Sequence, residues 1–454
     1  MNLTQPSQRL QRQEHVFVIF ALMLYSRALL SVFFPSPTPG EAVAASDTPI
    51  KLSIFLVIYA VTGIALLSQW RAAINLALQE KCLTLLLLLA VLSPLWSVDP
   101  AESIEKMVGI CACTGFGLYL VLRFSIDDVL VLLAIAFGLV CTASFIAAVF
   151  IPSIGVMHGV HEGLWSGVFS HKNYLATMSS VGGSLFFSLG LDKSPHRWGY
   201  IVFFSLCMIL VVMAGSKSAY ISWSVVFVCL SVFLFMNKRV RPAIVASLAA
   251  VAMLGCLSLQ MQYKIMPSLL VSETVKCVPK KLSNPMQSCN IVKNAQAIAP
   301  IGAHLDTGSG RLRLWGHVWE QYKQHPTFGY GVGGFWLGKK GPSSYVWERE
   351  PWHPPHAHNG FIDLALSVGA VGFLLLIIRL VIAIYRVLTA AWQRRLTTPA
   401  VALAAMLATV LLRNLGESVL LRPNSLVWIV LIICLLLLER IASSETKYGM
   451  HKPS

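Results

Sequence analysis

Long apolar runs separated by short polar clusters organise nearly the whole chain. Runs long enough to cross about 30 Å of hydrocarbon lie at Val16–Phe34, Ile50–Ser68, Cys82–Trp96, Met107–Leu122, Val129–Ile151 and Tyr174–Leu191. The series continues at Gly199–Ala214, Ala219–Met236, Ala243–Gln260, Gly360–Tyr385, Ala400–Leu412 and Ser425–Leu438. The pattern predicts an all-α bundle of about twelve membrane-crossing helices. Pro94 and the polar stretch Ser97–Lys106 split Cys82–Leu122 into two of them. The first run is longer than the apolar region of a signal peptide and reads as a retained helix. A hydrophilic stretch, 261–359, interrupts the series. It separates a membrane region over 1–260, with about nine spans, from a second over 360–454, with about three.

A connection of roughly a hundred residues without structure is uncommon, so a partly helical domain is expected there. Arg311–His325 has helical spacing, with Leu312, Trp315, Val318, Trp319 and Tyr322 on one face. Gly308, Gly310, Pro326 and the run Gly329–Gly334 bracket it.

Composition agrees with a bilayer as solvent. Hydrophobic residues make up 56% and charged residues 12%, with a mean hydropathy of +0.69. That is about half the charge of a soluble domain. The net charge of +15 does not point to nucleic acid, because Lys and Arg form short clusters between apolar runs and no basic face. Arg9, Arg12, Arg71, Lys81, Arg123, Lys193, Arg197, Lys238, Arg239 and Arg241 fall on one side of the alternation. Arg386, Arg394, Arg395, Arg440, Lys447 and Lys452 fall on the same side. The excess of Lys and Arg marks the cytoplasmic loops, which puts both termini in the cytoplasm and 261–359 outside. The ten cysteines include no CxxC pair, and most sit in apolar runs as small hydrophobes. Cys277 and Cys289 fall in the hydrophilic stretch and form a disulfide if it faces an oxidising compartment.

Polar function gathers at the outward ends of the runs, in Gly167–Asn173, Ala214–Ser218, Ser309–Trp315, His353–Asn359 and Arg413–Glu417. Lys172, Lys217, Arg311 and Arg313 suit an anionic group such as a phosphate or diphosphate, Arg bidentately and Lys as a point charge. Gly215 and Gly310 let the backbone come close to a ligand. A neutral His accepts a proton near pH 7. The bland readings are a lysine at a helix end reaching for headgroups and surface or structural histidines at His353 and His356. His353, His356 and His358 lack a neighbouring carboxylate or cysteine, so no metal site is expected. No cofactor motif is present, and Ser216-Lys217 lacks the oxyanion-hole signature of a nucleophile.

His358-Asn359, nine residues, then Gly369-Ala370-Val371-Gly372 resembles the His-(Asn/Ser/Gln)-x9-Gly-x-x-Gly signature of the O-antigen ligase and polymerase family. Ser309-Gly310-Arg311 with Trp315, then Pro326 and Gly329-Tyr330-Gly331, resembles that family's long periplasmic loop. Gly167–Asn173 and Gly215–Ser218 are similar to its shorter outer loops. Leu95–Pro100 and Arg413–Ser418 look like its exopolysaccharide-polymerase branch. The resemblance implies a GT-C-like, metal-independent glycosyltransferase at the outer face of the bacterial inner membrane. It also implies an undecaprenyl-diphosphate-linked glycan donor and a glycan or lipid A-core acceptor, with membrane lipid around it and chain-length regulator or flippase partners. His358 matches the catalytic histidine, and Arg311 and Lys217 match the diphosphate-binding positions, where Lys217 departs from the usual Arg. Asn359, His171, Asn173, Arg413 and Glu417 are candidates for supporting roles.

Two rival readings carry the same clusters: a flippase or transporter of lipid-linked glycans, and a protein O-oligosaccharyltransferase. A transporter places ionisable residues deep in the membrane. Arg27 and Arg379 are the basic residues well inside runs, and Arg379 is expected to reach the cytoplasmic side by extending its side chain.

Overall fold

The computed structural model describes residues 8–28, 30, 49–158, 161–238, 240–270, 310–393 and 396–449. Cys277, Cys289 and Ser309 lie outside them. The described residues form helices, joined by loops with one isolated antiparallel bridge, Val156 to Trp165. In chain order the longer helices are α1 (Gln8–Tyr25), α2 (Pro49–Ser68), α3 (Trp70–Gln79), α4 (Lys81–Leu92), α5 (Pro100–Arg123), α6 (Ile126–Phe150) and α7 (Lys172–Leu189). There follow α8 (Arg197–Ala214), α9 (Lys217–Met236), α10 (Val240–Leu270), α11 (Arg311–Tyr322), α12 (Gly360–Trp392), α13 (Thr398–Arg413) and α14 (Leu426–Gly449).

Helix starts follow local chemistry. Asp99 accepts the Glu102 N–H at 3.1 Å ahead of Pro100, and Ser125 accepts that of Asp128 at 3.1 Å. Each apolar run read from the sequence holds a helix. Among the described residues, six helices are long and apolar enough to cross a membrane, or seven if α2 and α3, bent by 90°, count as one. α7 is not among them. Its serines and glycines are covered by neighbours, which come close because its residues are small. Gly183 faces the Trp223 ring, Trp223 Nε1 donates to Ser180 O at 2.9 Å, and Ser184 meets Thr409 at 2.7 Å. α14 is buried on every side from Leu426 to Leu438 and packs against α5, α12 and α13.

Three features depart from the apolar pattern. Val16–Phe34 is not one helix: α1 ends at Tyr25, and Arg27 turns left-handed (φ 66°) to donate to Pro423 O at 3.0 Å. α3 was hidden inside a polar connection. Arg379 does not extend to the surface. It is buried, with Nε and Nη2 on Glu80 at 2.5 and 2.9 Å, Nη2 on Leu435 O at 2.8 Å, and Glu439 3.8 Å away. A carboxylate at the α3–α4 junction and a backbone carbonyl hold Nε and Nη2 inside the bundle, while the buried Nη1 has no hydrogen-bond partner.

The described part of the long loop has its own small core of Leu314, Val318, Tyr330, Phe335 and Val346, closed by Leu366 of α12. α11 turns Leu314, Val318 and Gln321 inward, while Leu312 and Trp319 are exposed. The expected stripe was thus met at Val318, with Trp315 and Tyr322 packed against the core, and missed at Leu312 and at Trp319, which stacks on Tyr322 at 5.2 Å. α12 explains how the loop is fastened. At Gly369 (φ 65°, ψ −169°) the helix breaks, and a Cβ there would overlap the Thr327 carbonyl. Through the break, Ala370 N donates to Pro326 O at 2.8 Å and Val371 N to Thr327 O at 3.2 Å, while Tyr330 N donates to Leu366 O at 2.7 Å. The glycine run continues onto the α4–α5 turn, where Trp96 Nε1 donates to Phe328 O at 3.2 Å and Val332 N to Ser93 Oγ at 3.1 Å.

Candidate functional site

The starts of α7, α9, α11 and α12 and the end of α13 come together around one carboxylate, Glu417. Its Oε1 accepts from Asn173 Nδ2 at 2.5 Å and lies 3.6 Å from Arg311 Nη2. Its Oε2 lies 3.9 Å from His358 Nδ1. Arg311, the first residue of α11, arrives there because Gly310 (φ 75°) turns the chain sharply into the helix. Burial raises the Glu417 pKa, but His358 and Arg413 outweigh it and hold the group down to about 2. It is an anion in the middle of a largely cationic cluster.

His358 takes a left-handed φ of 52°, an uncommon conformation for a residue with a side chain. Its neighbours fix it from both sides. Asn359 N donates to Ser418 Oγ at 3.1 Å, and the Asn359 side chain caps α12 by accepting from Phe361 N and Ile362 N. Gly360 N donates to Asn414 O at 2.8 Å and Glu417 O at 3.1 Å, an approach that leaves no room for a Cβ beside Asn414. On the other side, both Asp363 oxygens accept from Ala357 N at 3.1 Å, and Asp363 Oδ1 accepts from Trp336 Nε1 at 2.7 Å. Trp315 Nε1 donates to Ala357 O at 2.8 Å. The His356 and His358 rings lie 4.1 Å apart, with Trp352 5.6 Å from His358. Burial holds His356 well below the ordinary imidazole range, and its Nδ1 accepts from His358 N at 3.1 Å.

The remaining expected residues divide. Lys172 Nζ donates to Gly215 O at 3.2 Å, which ties the α7 start to the left-handed Gly215 turn (φ 59°) just before Lys217. His171 caps α7, with Nδ1 accepting from Asn173 N at 3.2 Å. Arg413 is fully buried and acts as a strut, on Thr177 Oγ1 at 2.9 Å and Ser218 Oγ at 2.9 Å. Arg313 is not brought to this cluster. It pairs with the buried Glu350 at 3.0 Å inside the loop, as its place two residues from Arg311 on a helix dictates. His353 stacks on Trp347 at 4.4 Å.

Sequence reasoning missed Asp363, and of its surface or structural readings for His356 the structural one fits the hydrogen bond from His358 N. The available signal for Asp363 was an acid in the first turn of an otherwise apolar run. His356, His358 and Glu417 offer donor atoms within 4.8 Å of one another, a ligand type that zinc accepts. Glu417, however, already serves Asn173 and faces Arg311, and His356 Nδ1 is taken, so charge and existing hydrogen bonds oppose a cation there.

Residues 201–377 match the family described as O-Antigen ligase, which supports assigning the chain to the O-antigen ligase/polymerase family. The matched stretch contains Lys217, Arg311, His358 and Gly369, whereas Lys172, Arg413 and Glu417 lie outside it. No curated protein matches the chain. Together with the apolar helices, the family match supports a multi-pass membrane enzyme of ligase or polymerase type.

Proposed function

We propose that the chain is a GT-C-like, metal-independent glycosyltransferase of the bacterial inner membrane, with about twelve spans and cytoplasmic termini. It polymerises or ligates oligosaccharides carried on undecaprenyl diphosphate at the outer face, for exopolysaccharide or O-antigen. The observation that supports this most is the convergence on Glu417. A guanidinium from the long loop and an imidazole from the start of α12, read separately in the sequence as anion binder and base, face the same carboxylate at 3.6 and 3.9 Å.

In this reading Arg311 binds the diphosphate, with Lys217 and Lys172 adding positive charge from the shorter loops. Diphosphate is a good leaving group, so stabilising its growing charge is the main demand. His358 takes the proton of the acceptor hydroxyl. The hydroxyl oxygen bonds to the anomeric carbon, and the bond from that carbon to the diphosphate oxygen breaks with its electron pair on the diphosphate. Direct attack inverts the anomeric centre. Asn359 and Asp363 hold the His358 segment, and the polyprenyl tail stays in hydrocarbon. His358→Ala and Arg311→Ala are expected to abolish polymer while the protein still inserts and folds. Unchanged polymer yield in both variants would overturn the reading.

The buried Arg379–Glu80 pair is the observation that favours a transporter, since such charges mark transport pathways. Measuring carrier-linked glycan on each leaflet separates the two. A lost transferase strands units on the outer leaflet, and a lost flippase strands them on the inner.

A further inference from the structure

The Glu417 carboxylate stands between the anion binder and the base, 3.6 Å from Arg311 Nη2 and 3.9 Å from His358 Nδ1. Oε1 is held by Asn173 and faces Arg311. Oε2 points toward His358 Nδ1 but stops at 3.9 Å, about 1 Å beyond a hydrogen bond. His358 Nδ1 is itself buried and has no hydrogen-bond partner, a costly state for a polar atom. Backbone bonds from Asn359, Gly360 and Ala357 pin the segment that carries the ring, so closing the gap takes a side-chain rotation and no backbone shift.

We propose that Glu417 is a positioning residue that exchanges partners: it neutralises Arg311 in the empty site, and moves to His358 Nδ1 when a diphosphate takes Arg311. This rests on the reading of Arg311 as diphosphate binder and His358 as base. An arriving diphosphate repels the carboxylate and replaces it on the guanidinium. A carboxylate at Nδ1 then fixes the tautomer that leaves Nε2 free to accept a proton, and it stabilises the imidazolium that forms. The base thus becomes fully competent only when donor is bound. Besides Glu417, the charged and titratable groups that act on His358 are His356, His171 and Asp363, with Arg311 and Arg422 next to His356.

The test uses the full chain in detergent, with inorganic pyrophosphate as the probe for binding and polymer formation as the readout for rate. In Glu417→Gln, pyrophosphate is expected to bind several-fold more tightly, because its competitor for Arg311 is neutral. The same variant loses about tenfold or more in kcat. Its acidic limb moves to lower pH, because an imidazole without the anion is less basic. Glu417→Asp, which keeps the charge, returns the limb toward wild type. Pyrophosphate binding that is unchanged or weaker, an unmoved limb, or loss of fold in both variants would overturn the exchange and leave Glu417 a structural group. If Arg311→Ala and His358→Ala abolish polymer while Glu417→Gln shows none of these effects, the exchange alone fails. If those two variants still make polymer, the proposed function itself fails.

Discussion

His171 caps α7 with its own ring, which requires Nδ1 to be unprotonated. Burial, with His161 and Lys172 adding to it and Glu417 opposing it, lowers its pKa from 6.5 to about 4. The unfolded chain therefore takes up this proton near pH 6.5, while the folded protein holds out to about 4. Stability is intact above that window and falls as pH drops through it. His356 acts in the same direction. His171→Asn keeps a capping side chain, so its Tm should fall less steeply than wild type over that window in thermal unfolding; an equal slope would refute the assignment. At this scale residue type alone nominated Arg311, Lys217 and His358, and two of these, Arg311 and His358, face one carboxylate. The sequence was poorly legible where a role depends on separate segments meeting. Glu417 draws its partners from α7, α11 and the α12 start, and Asp363 works through the backbone of Ala357; neither spacing nor composition shows such contacts.

The break in α12 is the element on which the loop's seating depends. Two N–H groups freed at Gly369 are taken up by the carbonyls of Pro326 and Thr327, so these donors stay satisfied across the break. Gly369→Ala meets both a left-handed φ and the Thr327 carbonyl, and a loss of about 3 kcal/mol or more is expected. The measurable outcome is a lower Tm with faster proteolysis within 310–358; wild-type values for both would show that the loop seats without the break. The sequence indicated that a glycine belongs there but not why, because the reason lies in a loop about forty residues upstream. It also misplaced part of the buried face of α11. Of the expected stripe, Val318 is buried and Trp315 and Tyr322 pack against the core, but Leu312 and Trp319 are exposed and Leu314 and Gln321 are buried in their place, as the packing of Tyr330, Phe335 and Val346 decides.

Taken whole, the bundle carries charge at both ends, and the two sets differ in character. Around Glu417 the groups are close yet incompletely satisfied. Further along α12, Arg379 is enclosed by Glu80 and Leu435 O, near Glu439 and its partner Arg386, with one nitrogen, Nη1, left unbonded. That pattern reads as a clamp between the α3–α4 junction, α12 and α14. Glu80→Ala leaves a buried guanidinium uncompensated and should destabilise by about 3 kcal/mol or more. Replacing Arg379 with Met as well should recover part of the loss, and activity per folded molecule should change little. A double variant no more stable than the single one would argue against the clamp. The segment that holds the His358 loop in place, Asn414–Glu417, also has a consequence in time. Gly360 N is anchored on the carbonyls of Asn414 and Glu417, which the ribosome adds more than fifty residues after the histidine. A nascent chain can insert most of its helices, and even expose the long loop, before its base has anything to lock against. Reactivity is therefore withheld until the segment through Glu417 has been made.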